Sequence, residues 1–540
     1  MTRYLLTLAV CFLFKPGFTQ ITPIADNSTL QNIKRPKLVV GIVVDQMRWD
    51  YLYRFYDRYK EDGGFKRLLK QGFNCSNTLI PYAPTITACG HSSIYTGSVP
   101  AINGITGNDW FDYDKNDFVY CTQDDSVQTI GSSTDEGRMS PKNLLTTTFG
   151  DELKLATNFN SKVIGIALKD RSAILPAGHN ADAAYWYDSK TGDWITSSYY
   201  RNNLPQWLKT FNRKRLTDQY YAKEWNTLYP LNTYAQSAFD TRGFPRRISQ
   251  HIGKNNGIIV ATPYGNNFSF EMAKAVINGE QLGIDSITDL LTLSLSSPDY
   301  IGHAYGPNSV EVEDCFLRLD IELGEFLKFL DKKIGKENYL VFLTADHGAA
   351  NEPAFLKDYK IPAGNFDNKK ITEALSKQLS AAFSQSDLLI GILNYQVYLD
   401  RGLMESKKID KTSVYKTVID FLLKENTVEQ AFALDNIKET TLNTRLKTAI
   451  VNGYYPKRSG DIQIILQPQV IDDFLTGGTT HGVWNPYDAH IPLLWYGWGI
   501  KPGKTYRETY ITDIAATVAA FLNIQMPNGC VGQVIAEIVK

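Results

Sequence analysis

Five short apolar runs dominate the sequence and restrict the fold to one in which a sheet is covered on both faces. Each run is seven or eight residues long, and amphipathic stretches such as 316–335 and 511–524 lie between several of them. Strands that are buried on both faces have this pattern, and the helices between them supply the covering layers. The runs are 37–44, 162–168, 289–296, 339–345 and 491–497.

The order of these runs predicts an α/β protein, a three-layer α/β/α sandwich with a mostly parallel central sheet. Two segments interrupt the pattern. Residues 183–245 are rich in aromatic side chains and predict a loop-rich insertion, whereas 351–475 predict a smaller inserted α+β lobe. The catalytic core would then comprise 36–350 and 476–540. Within the lobe we expect strands at 389–399 and 461–468 and a helix at 412–424.

The N-terminus and the bulk composition limit where the protein works. Residues 1–20 have the pattern of a signal peptide, because Arg3 is followed by an apolar run, 5–14, that is too short to span a bilayer. No later stretch is apolar enough to cross a membrane, so we expect export to the periplasm or the medium. The 56 Lys and Arg residues balance 57 Asp and Glu residues, which disfavours a nucleic-acid-coating or membrane-surface role.

The cysteines are too few for a disulfide scaffold. Five of the six lie beyond residues 1–20, widely spaced and odd in number, and such a set leaves room for one or two bridges at most.

Ionisable side chains follow four of the apolar runs at the point where each run ends. In open α/β sheets ligands bind outside the carboxyl ends of the strands, so we expect these side chains to gather at one edge. A single Asp after a strand is more often a turn or capping residue, and the prediction therefore depends on the four run ends together. In chain order they supply Asp45, then Lys169 and Arg171, then Asp299 and His303, then Asp346 and His347.

A further imidazole, His481, lies in a glycine-rich stretch, 477–482, that can approach a site closely. Three Asp and three His offer oxygen and nitrogen ligands, a set that suits zinc better than magnesium. Two metal ions about 4 Å apart would stabilise the entering and leaving oxygens of an in-line displacement. We therefore expect phosphoryl chemistry, and the chain has no His-Glu-x-x-His motif of a single-zinc protease.

A hydroxyl nucleophile is predicted within 80–97. Thr87 stands where a short helix, 88–95, would begin, and free N–H groups at a helix start favour an anionic oxygen. A threonine at this place is usually only an N-cap. Zinc coordination is what would make its hydroxyl reactive.

Six separated segments resemble the alkaline phosphatase superfamily, in particular the exported bacterial alkaline phosphatases with a threonine nucleophile, which are related to the nucleotide pyrophosphatase/phosphodiesterases. They run in order through nearly the whole mature chain. The segments are VVDQMRWDYL, PTITACGHSSIYTG, AINGITGNDWFD, SPDYIGHAYGP, TADHG and TTHG.

The resemblance implies two Zn²⁺ per chain and a phosphothreonine intermediate on Thr87. It also implies that Asn108 donates a hydrogen bond to a phosphoryl oxygen. One zinc would be bound by Asp299, His303 and His481, and the other by Asp45, Asp346, His347 and the oxygen of Thr87.

Lys169 and Arg171 decide between the two branches of the superfamily. Two cations at i and i+2 beyond one strand can reach the same terminal phosphate oxygen. The Lys-x-Arg pattern resembles that of the monoesterases, whereas the related diesterases lack it. We therefore predict an alkaline phosphatase that acts on small-molecule phosphate monoesters, with a phosphodiesterase or nucleotide pyrophosphatase as the alternative.

Other functions have less support from the sequence. The chain lacks the Cys/Ser-x-Pro-x-Arg motif of sulfatases, and the segment GHSSI around Ser92 and Ser93 lacks the second glycine of a nucleophile elbow. An exported, metal-stabilised binding protein without catalysis is the second alternative. We expect a monomer, and the sequence leaves the natural substrate open.

Overall fold

A computed structural model describes residues 34–236, 243–472 and 477–539. Arg35–Lys540 forms one compact unit. The predicted signal peptide, 1–20, lies outside the described residues.

The strands of the described residues are numbered in chain order. They are β1 Leu38–Val44, β2 Phe73–Cys75, β3 Thr78–Leu79, β4 Asp109–Asp112, β5 Asp117–Tyr120, β6 Thr129–Ile130, β7 Val163–Ala167, β8 Ala183–Asp188, β9 Asp193–Ser197, β10 Asp289–Leu295, β11 Tyr339–Thr344, β12 Gly364–Asn365, β13 Leu389–Leu393, β14 Gln396–Leu399, β15 Val428–Ala433, β16 Ile462–Leu466, β17 Val470–Ile471, β18 His490–Ile491, β19 Leu493–Gly497, β20 Gly503–Thr505 and β21 Thr509–Tyr510.

The α-helices of the same residues are numbered in the same way. They are α1 Tyr51–Arg54, α2 Gly64–Gln71, α3 Thr87–Thr96, α4 Pro100–Asn103, α5 Phe149–Ala156, α6 Asp170–Ala177, α7 Gln206–Asn212, α8 Leu216–Tyr221, α9 Tyr264–Gly279, α10 Ser297–Tyr305, α11 Val310–Lys333, α12 Pro353–Asp358, α13 Asn368–Phe383, α14 Arg401–Ser406, α15 Lys411–Leu422, α16 Thr444–Gly453, α17 Pro486–Ala489, α18 Asp513–Leu522 and α19 Ala536–Val539.

A ten-stranded sheet forms the centre of the protein. Its order is β20-β2-β19-β11-β1-β10-β7-β8-β9-β6, and the five strands from β11 to β8 are parallel. All five apolar runs of the sequence are strands of this sheet, as predicted. The last of them, β19, pairs antiparallel with β11.

Helices cover both faces of the sheet. Every residue of β1 and β10 is buried, as expected for strands with a layer on each side. On one face α3 packs against α5, α6 and α18, and α11 packs against α2 and α9 in the other layer. The predicted α/β class with a mostly parallel central sheet is confirmed.

The stretch predicted as a loop-rich insertion, 183–245, begins with two strands of the central sheet. β8 pairs parallel with β7, and β9 returns antiparallel beside it. The aromatic residues that suggested an insertion are strand residues here: Tyr185 and Trp186 are buried on opposite faces of β8. Aromatic side chains are favoured on such pleated surfaces, so the prediction for the first part of this stretch is wrong.

Residues within 351–475 build a second sheet of four antiparallel strands, β13-β14-β16-β15, with its own hydrophobic cluster. The expected single strand at 389–399 is instead a hairpin, because Asn394 and Tyr395 adopt φ values of 53° and 59°. Positive φ at both central residues is the condition for the two-residue turn that reverses a strand. The boundaries of this lobe as a domain stay a prediction.

The structure also bears on the predictions about disulfide bridges and membrane-spanning segments. Cys75, Cys89, Cys121, Cys315 and Cys530 are all free thiols. Among the helices of the described ranges, none combines the length and the apolar character needed to cross a bilayer.

Candidate active site

The predicted ligand residues lie at one edge of the central sheet. β11, β1, β10 and β7 are neighbours and run parallel, so their carboxyl ends meet at this edge. Asp45 follows β1 directly, Asp346 and His347 follow β11, and Lys169 lies between β7 and α6. Asp299 and His303 lie one helical turn apart in α10, after β10. The strand-end argument therefore brings together side chains that are more than 300 residues apart in the chain, such as Asp45 and His347.

Two groups of potential metal ligands lie within this edge, among the described residues. Asp299, His303 and His481 have ligand atoms within 4.8 Å of one another, and so do Asp45, Asp299 and His347. The first group has the membership that the resemblance implies. In the second, Asp299 also takes part, and Asp346 adjoins it with Oδ2 3.4 Å from His347 Nε2.

The separations between these atoms fit a zinc site. Two ligands that are 2.0–2.1 Å from one tetrahedral zinc lie roughly 3.3 Å apart. His303 Nε2 and His481 Nε2 lie 3.1 and 3.7 Å from Asp299 Oδ1. His347 Nε2 lies 3.6 Å from Asp45 Oδ1 and 3.3 Å from the hydroxyl of Thr87. The donor atoms are therefore arranged as a cation would require.

Backbone carbonyls orient the three imidazoles. The Nδ1 atoms of His303, His347 and His481 contact the carbonyl oxygens of Thr479, Gly348 and Thr85 at 2.8, 2.9 and 2.7 Å. A hydrogen bond from Nδ1 fixes the ring and leaves the Nε2 lone pair toward the carboxylates, which is the usual second contact of a metal-binding histidine.

Burial supports the same conclusion. It lowers the pKa of His347 despite the nearby Asp346, and burial together with His347 and His303 lowers the pKa of His481 well below its usual value. Neutral imidazoles are the form that binds a metal. At His303 burial also lowers the pKa, but Asp299 outweighs it and the net pKa is raised, so the shift toward the metal-binding form holds for His347 and His481. In addition, the fully buried Asp45 Oδ1 accepts no hydrogen bond from the described residues, as expected of an oxygen reserved for a cation.

Lys169 supplies the positive charge in this cluster. Its ammonium donates to Asp45 Oδ2 at 2.7 Å and to Asp299 Oδ2 at 2.6 Å. Burial lowers the pKa of Lys169, but Asp299 and Asp45 outweigh it and the net pKa is raised. Burial and the neighbouring Asp299 and Asp346 raise the pKa of Asp45 well above its ordinary value. The lysine thus lies at the centre of the site, touching a member of each ligand group.

Thr87 is the first residue of α3, and its N-cap position is taken by Ile86. The side chain is therefore not a capping group, and its hydroxyl is directed at His347. Asn108 lies beside it: the amide oxygen Oδ1 accepts a hydrogen bond from the backbone N–H of Ala88 at 3.1 Å. This contact leaves the NH₂ group of Asn108 as the donor for a ligand at the helix start.

Arg171 is held by a tyrosine of β5. Its Nη1 donates to the hydroxyl oxygen of Tyr120 at 3.1 Å, and that hydroxyl donates to the carboxylate of Asp170. The guanidinium atom Nε is buried without a hydrogen-bond partner among the described residues. The arginine is thus oriented by a chain of two hydrogen bonds and keeps donors for an anion.

Two residues that touch the ligands were missed. Gln46 donates from Nε2 to Asp299 Oδ1 at 2.7 Å and from its backbone N–H to Asp346 Oδ1 at 3.1 Å. The second residue is His91, whose Nδ1 lies 2.9 Å from the carbonyl oxygen of Thr87 and 3.2 Å from Asp346 Oδ2. The sequence around Asp45 does not indicate that Gln46 contacts the ligand residues, because this contact depends on a backbone φ of 63° at Gln46.

Asp488 fixes the loop that carries His481, and its titration can be tested. Oδ2 accepts from the N–H groups of Gly482 and Val483, both at 2.9 Å, and burial raises the pKa of Asp488 to about 7. Between about pH 4 and pH 7 the folded state therefore binds more protons than the unfolded state, and stability falls as pH rises. We expect the Tm advantage of wild type over Asp488→Asn to shrink from pH 4 to pH 8 in differential scanning calorimetry. A constant difference would contradict this.

The model of the family "Type I phosphodiesterase / nucleotide pyrophosphatase" matches residues 39–480. The chain is 51% identical to the alkaline phosphatase PhoV of Synechococcus elongatus, with 94% of each chain covered. It is also 51% identical to a protein of Myroides odoratus named calcium-transporting ATPase, with 94% of this chain and 96% of that one covered.

A solved structure gives the same result for the fold. The crystal structure of wild-type alkaline phosphatase PafA superposes with a TM-score of 0.91 at 47% identity, covering 94% of this chain and all of that one. The chain therefore belongs to the type I phosphodiesterase / nucleotide pyrophosphatase family.

Proposed function

We infer that the protein is a metal-dependent phosphatase that hydrolyses phosphate monoesters. The observation that carries this is the position of the Thr87 hydroxyl, 3.3 Å from His347 Nε2, at a sheet edge that also presents Lys169 and Arg171. PhoV and PafA, which this chain resembles over nearly its whole length, are both named alkaline phosphatases.

Two zinc ions are the metals that the donor set fits best. Asp299, His303 and His481 would hold one, and Asp45, Asp346, His347 and Thr87 the other. Bound there, zinc supplies Lewis-acid chemistry that lowers the pKa of a hydroxyl group or water and stabilises charge on phosphoryl oxygens.

Thr87 is the nucleophile of the first step. Its Oγ1 attacks phosphorus in line, the Oγ1–P bond forms, and the bond between phosphorus and the ester oxygen breaks. The alcohol leaves with the electron pair of that bond and gains a proton, while the threonine loses its own. The product is a phosphothreonine at the start of α3, where free N–H groups and the helix dipole favour the added charge.

In the second step a water molecule hydrolyses the intermediate. It attacks the phosphothreonine, the Oγ1–P bond breaks, and inorganic phosphate and the threonine hydroxyl result. The transition state of such transfers is loose, so that positioning and charge stabilisation account for most of the rate. Asn108 donates from its NH₂ group to one phosphoryl oxygen, since its own oxygen is occupied by Ala88 N–H.

Lys169 and Arg171 favour the dianionic group of a monoester. The Lys169 ammonium lies at the centre of the site, where a bound dianion would compete with Asp45 and Asp299 for it. A diester presents one charge less and a second organic group, so it gains less from the two cations.

The name of the Myroides relative raises ATP hydrolysis as a second activity. Release of the terminal phosphate of ATP by a phosphatase would register as ATPase activity without any transport. One assay distinguishes a phosphatase from a dedicated ATPase. A phosphatase would also release phosphate from an aryl phosphate, whereas a dedicated ATPase would not.

Lys169→Ala tests the choice between monoester and diester. With zinc supplied, wild type should have a far higher kcat/KM for an aryl phosphate than for its bis-aryl diester. The variant should lose on the order of 10²-fold on the monoester, in the range seen for one charged donor to a transition state, and much less on the diester. Equal losses on the two substrates would count against the assignment.

Tyr120→Phe tests the orientation of Arg171. The variant keeps the ring and removes the hydroxyl that accepts from Arg171 and donates to Asp170. We expect inhibition by inorganic phosphate to weaken about fivefold to tenfold, which corresponds to the roughly 1 kcal/mol of one hydrogen bond. In an Arg171→Ala background the same change should have no further effect; additive losses in the double variant would show that Tyr120 acts elsewhere.

We also propose that the protein is exported and works as a monomer. Residues 1–20 support export through their signal-peptide pattern. The mass of the mature chain, recovered from the cells or the medium, would show whether this segment is removed.

A further inference from the structure

A cavity of about 330 Å³ lies between helix α16 of the lobe and the small sheet β18-β3-β21. Most of its lining residues are apolar, and Arg445 and Glu508 are the charged ones. None of the described residues that line it belongs to the phosphoryl site. A largely apolar cavity of this size with a few polar groups is the usual form of a small-molecule site.

Helix α16 has two different faces, and the cavity lies along one of them. Thr444, Arg445 and Thr448 line the cavity, whereas Leu446 and Ile450 are buried in a hydrophobic cluster with residues of β15 and β16. A helix with about 3.6 residues per turn places these two sets of side chains on opposite sides. The buried side holds the helix in place, so the cavity is preformed.

Hydrogen bonds fix the opposite wall of the cavity relative to this helix. The carbonyl oxygen of Ala449 accepts from the N–H group of Ala83 at 3.0 Å. Asn452 Nδ2 donates to the carbonyl oxygen of Pro81, which lines the cavity, at 2.8 Å. The helix and the segment after β3 therefore form one frame around the cavity.

Arg445 keeps hydrogen-bond donors for a ligand. Its Nη2 donates to Glu508 Oε2 at 2.6 Å, and this is the only hydrogen bond of the guanidinium to the described residues. Because a guanidinium carries five N–H donors, most of them remain for an acceptor. Both oxygens of Glu508 are already engaged, since Oε1 accepts from the hydroxyl of Tyr510. The cavity can therefore pair an added negative charge more readily than an added positive one.

Trp484 gives the cavity a flat apolar surface. It lines the cavity together with Leu79 and Pro486, and it is only partly buried. Aromatic rings prefer to pack against other rings in stacked or edge-to-face arrangements. A ligand with a planar ring system would bury this surface.

We propose that this cavity is a binding site for a small aromatic monocarboxylate, with the ring system against Trp484 and the carboxylate on Arg445. The planar fork of a guanidinium matches a carboxylate in two parallel hydrogen bonds. An amine would have only the engaged oxygens of Glu508 to pair with, and a neutral hydrocarbon would gain nothing from Arg445. The site is separate from the phosphoryl site, and this inference does not depend on the proposed function.

Isothermal titration calorimetry of the full chain with naphthalene-2-carboxylate and its neutral amide, naphthalene-2-carboxamide, tests the proposal. Wild type should bind the carboxylate about tenfold more tightly, as expected of a hydrogen bond to a charged group. Arg445→Gln should remove this preference, and Glu508→Gln, which removes the neighbouring negative charge, should increase it. Arg213→Gln, at an exposed arginine at the end of α7, is the matched control and should change neither Kd.

Two further titrations locate the bound compound. Thr448→Phe places a ring in the cavity from an exposed helix position and should abolish binding of both compounds at an unchanged Tm. Saturating inorganic phosphate should leave the Kd of the carboxylate for wild type unchanged.

The proposal would be overturned if wild type bound neither compound, bound both equally, or preferred the amide. Binding retained by folded Thr448→Phe would place the compound outside the cavity, and competition with phosphate would place it at the phosphoryl site; either result contradicts the proposal. None of these measurements involves turnover, so their outcome is distinguishable from a failure of the phosphatase assignment.

Discussion

Thr87→Ala is expected to lower kcat for an aryl phosphate on the order of 10³-fold or more, since the variant has no oxygen with which to form the covalent intermediate. Zinc content should be nearly unchanged, because Asp45, Asp346 and His347 remain. Thr87→Ser restores a hydroxyl at the same place and should recover most of the rate. The measurement is steady-state release of the aryl alcohol, with zinc determined on the same samples.

Ser92→Ala is the matched control in the same helix. Its hydroxyl is buried and donates to the carbonyl oxygen of Ala88 at 2.8 Å, so its loss should change the rate by no more than about threefold. If Ser92→Ala were inactive and Thr87→Ala active, the nucleophile would be a serine and the proposed mechanism would be wrong.

Removal of zinc should have the second large effect. Dialysis against a chelator is expected to abolish turnover and to lower Tm by several degrees, because a ligand present at 1,000 times its Kd stabilises the folded state by about 4 kcal/mol. Three carboxylates and three imidazoles would then face one another with Lys169 as the nearest cation. Added zinc should restore both activity and Tm.

Magnesium alone should fail to restore either, because imidazole ligands suit zinc and magnesium prefers oxygen. Full activity in a sample with less than about one tenth of a zinc ion per chain would contradict a metal-dependent mechanism.

The sequence predicted the strands that build the site because burial on both faces leaves a local signature. The segments that form β1, β7, β10 and β11 are continuous apolar runs in the sequence. The rule that ligands bind at the carboxyl ends of strands then predicts that Asp45, Asp299 and Asp346 lie close together. The resemblance supplied what the spacing alone did not, namely which residues share a metal.

Contacts between distant segments could not be predicted in the same way. The hydrogen bond from Gln46 to Asp299 joins residues 253 positions apart, and that from Arg171 to Tyr120 joins an α6 residue to a hairpin strand. Nothing in the local pattern marks such partners. The hairpin at Asn394 and Tyr395 was missed for another reason, since turns with two positive φ values usually contain glycine.

The positions of bound zinc test the central claim most directly. Anomalous diffraction at the zinc edge from crystals of the full chain should show two peaks about 4 Å apart, one among Asp299, His303 and His481 and the other among Asp45, Asp346 and His347, in contact with Thr87 Oγ1. A single peak, or peaks away from this edge of the sheet, would contradict it.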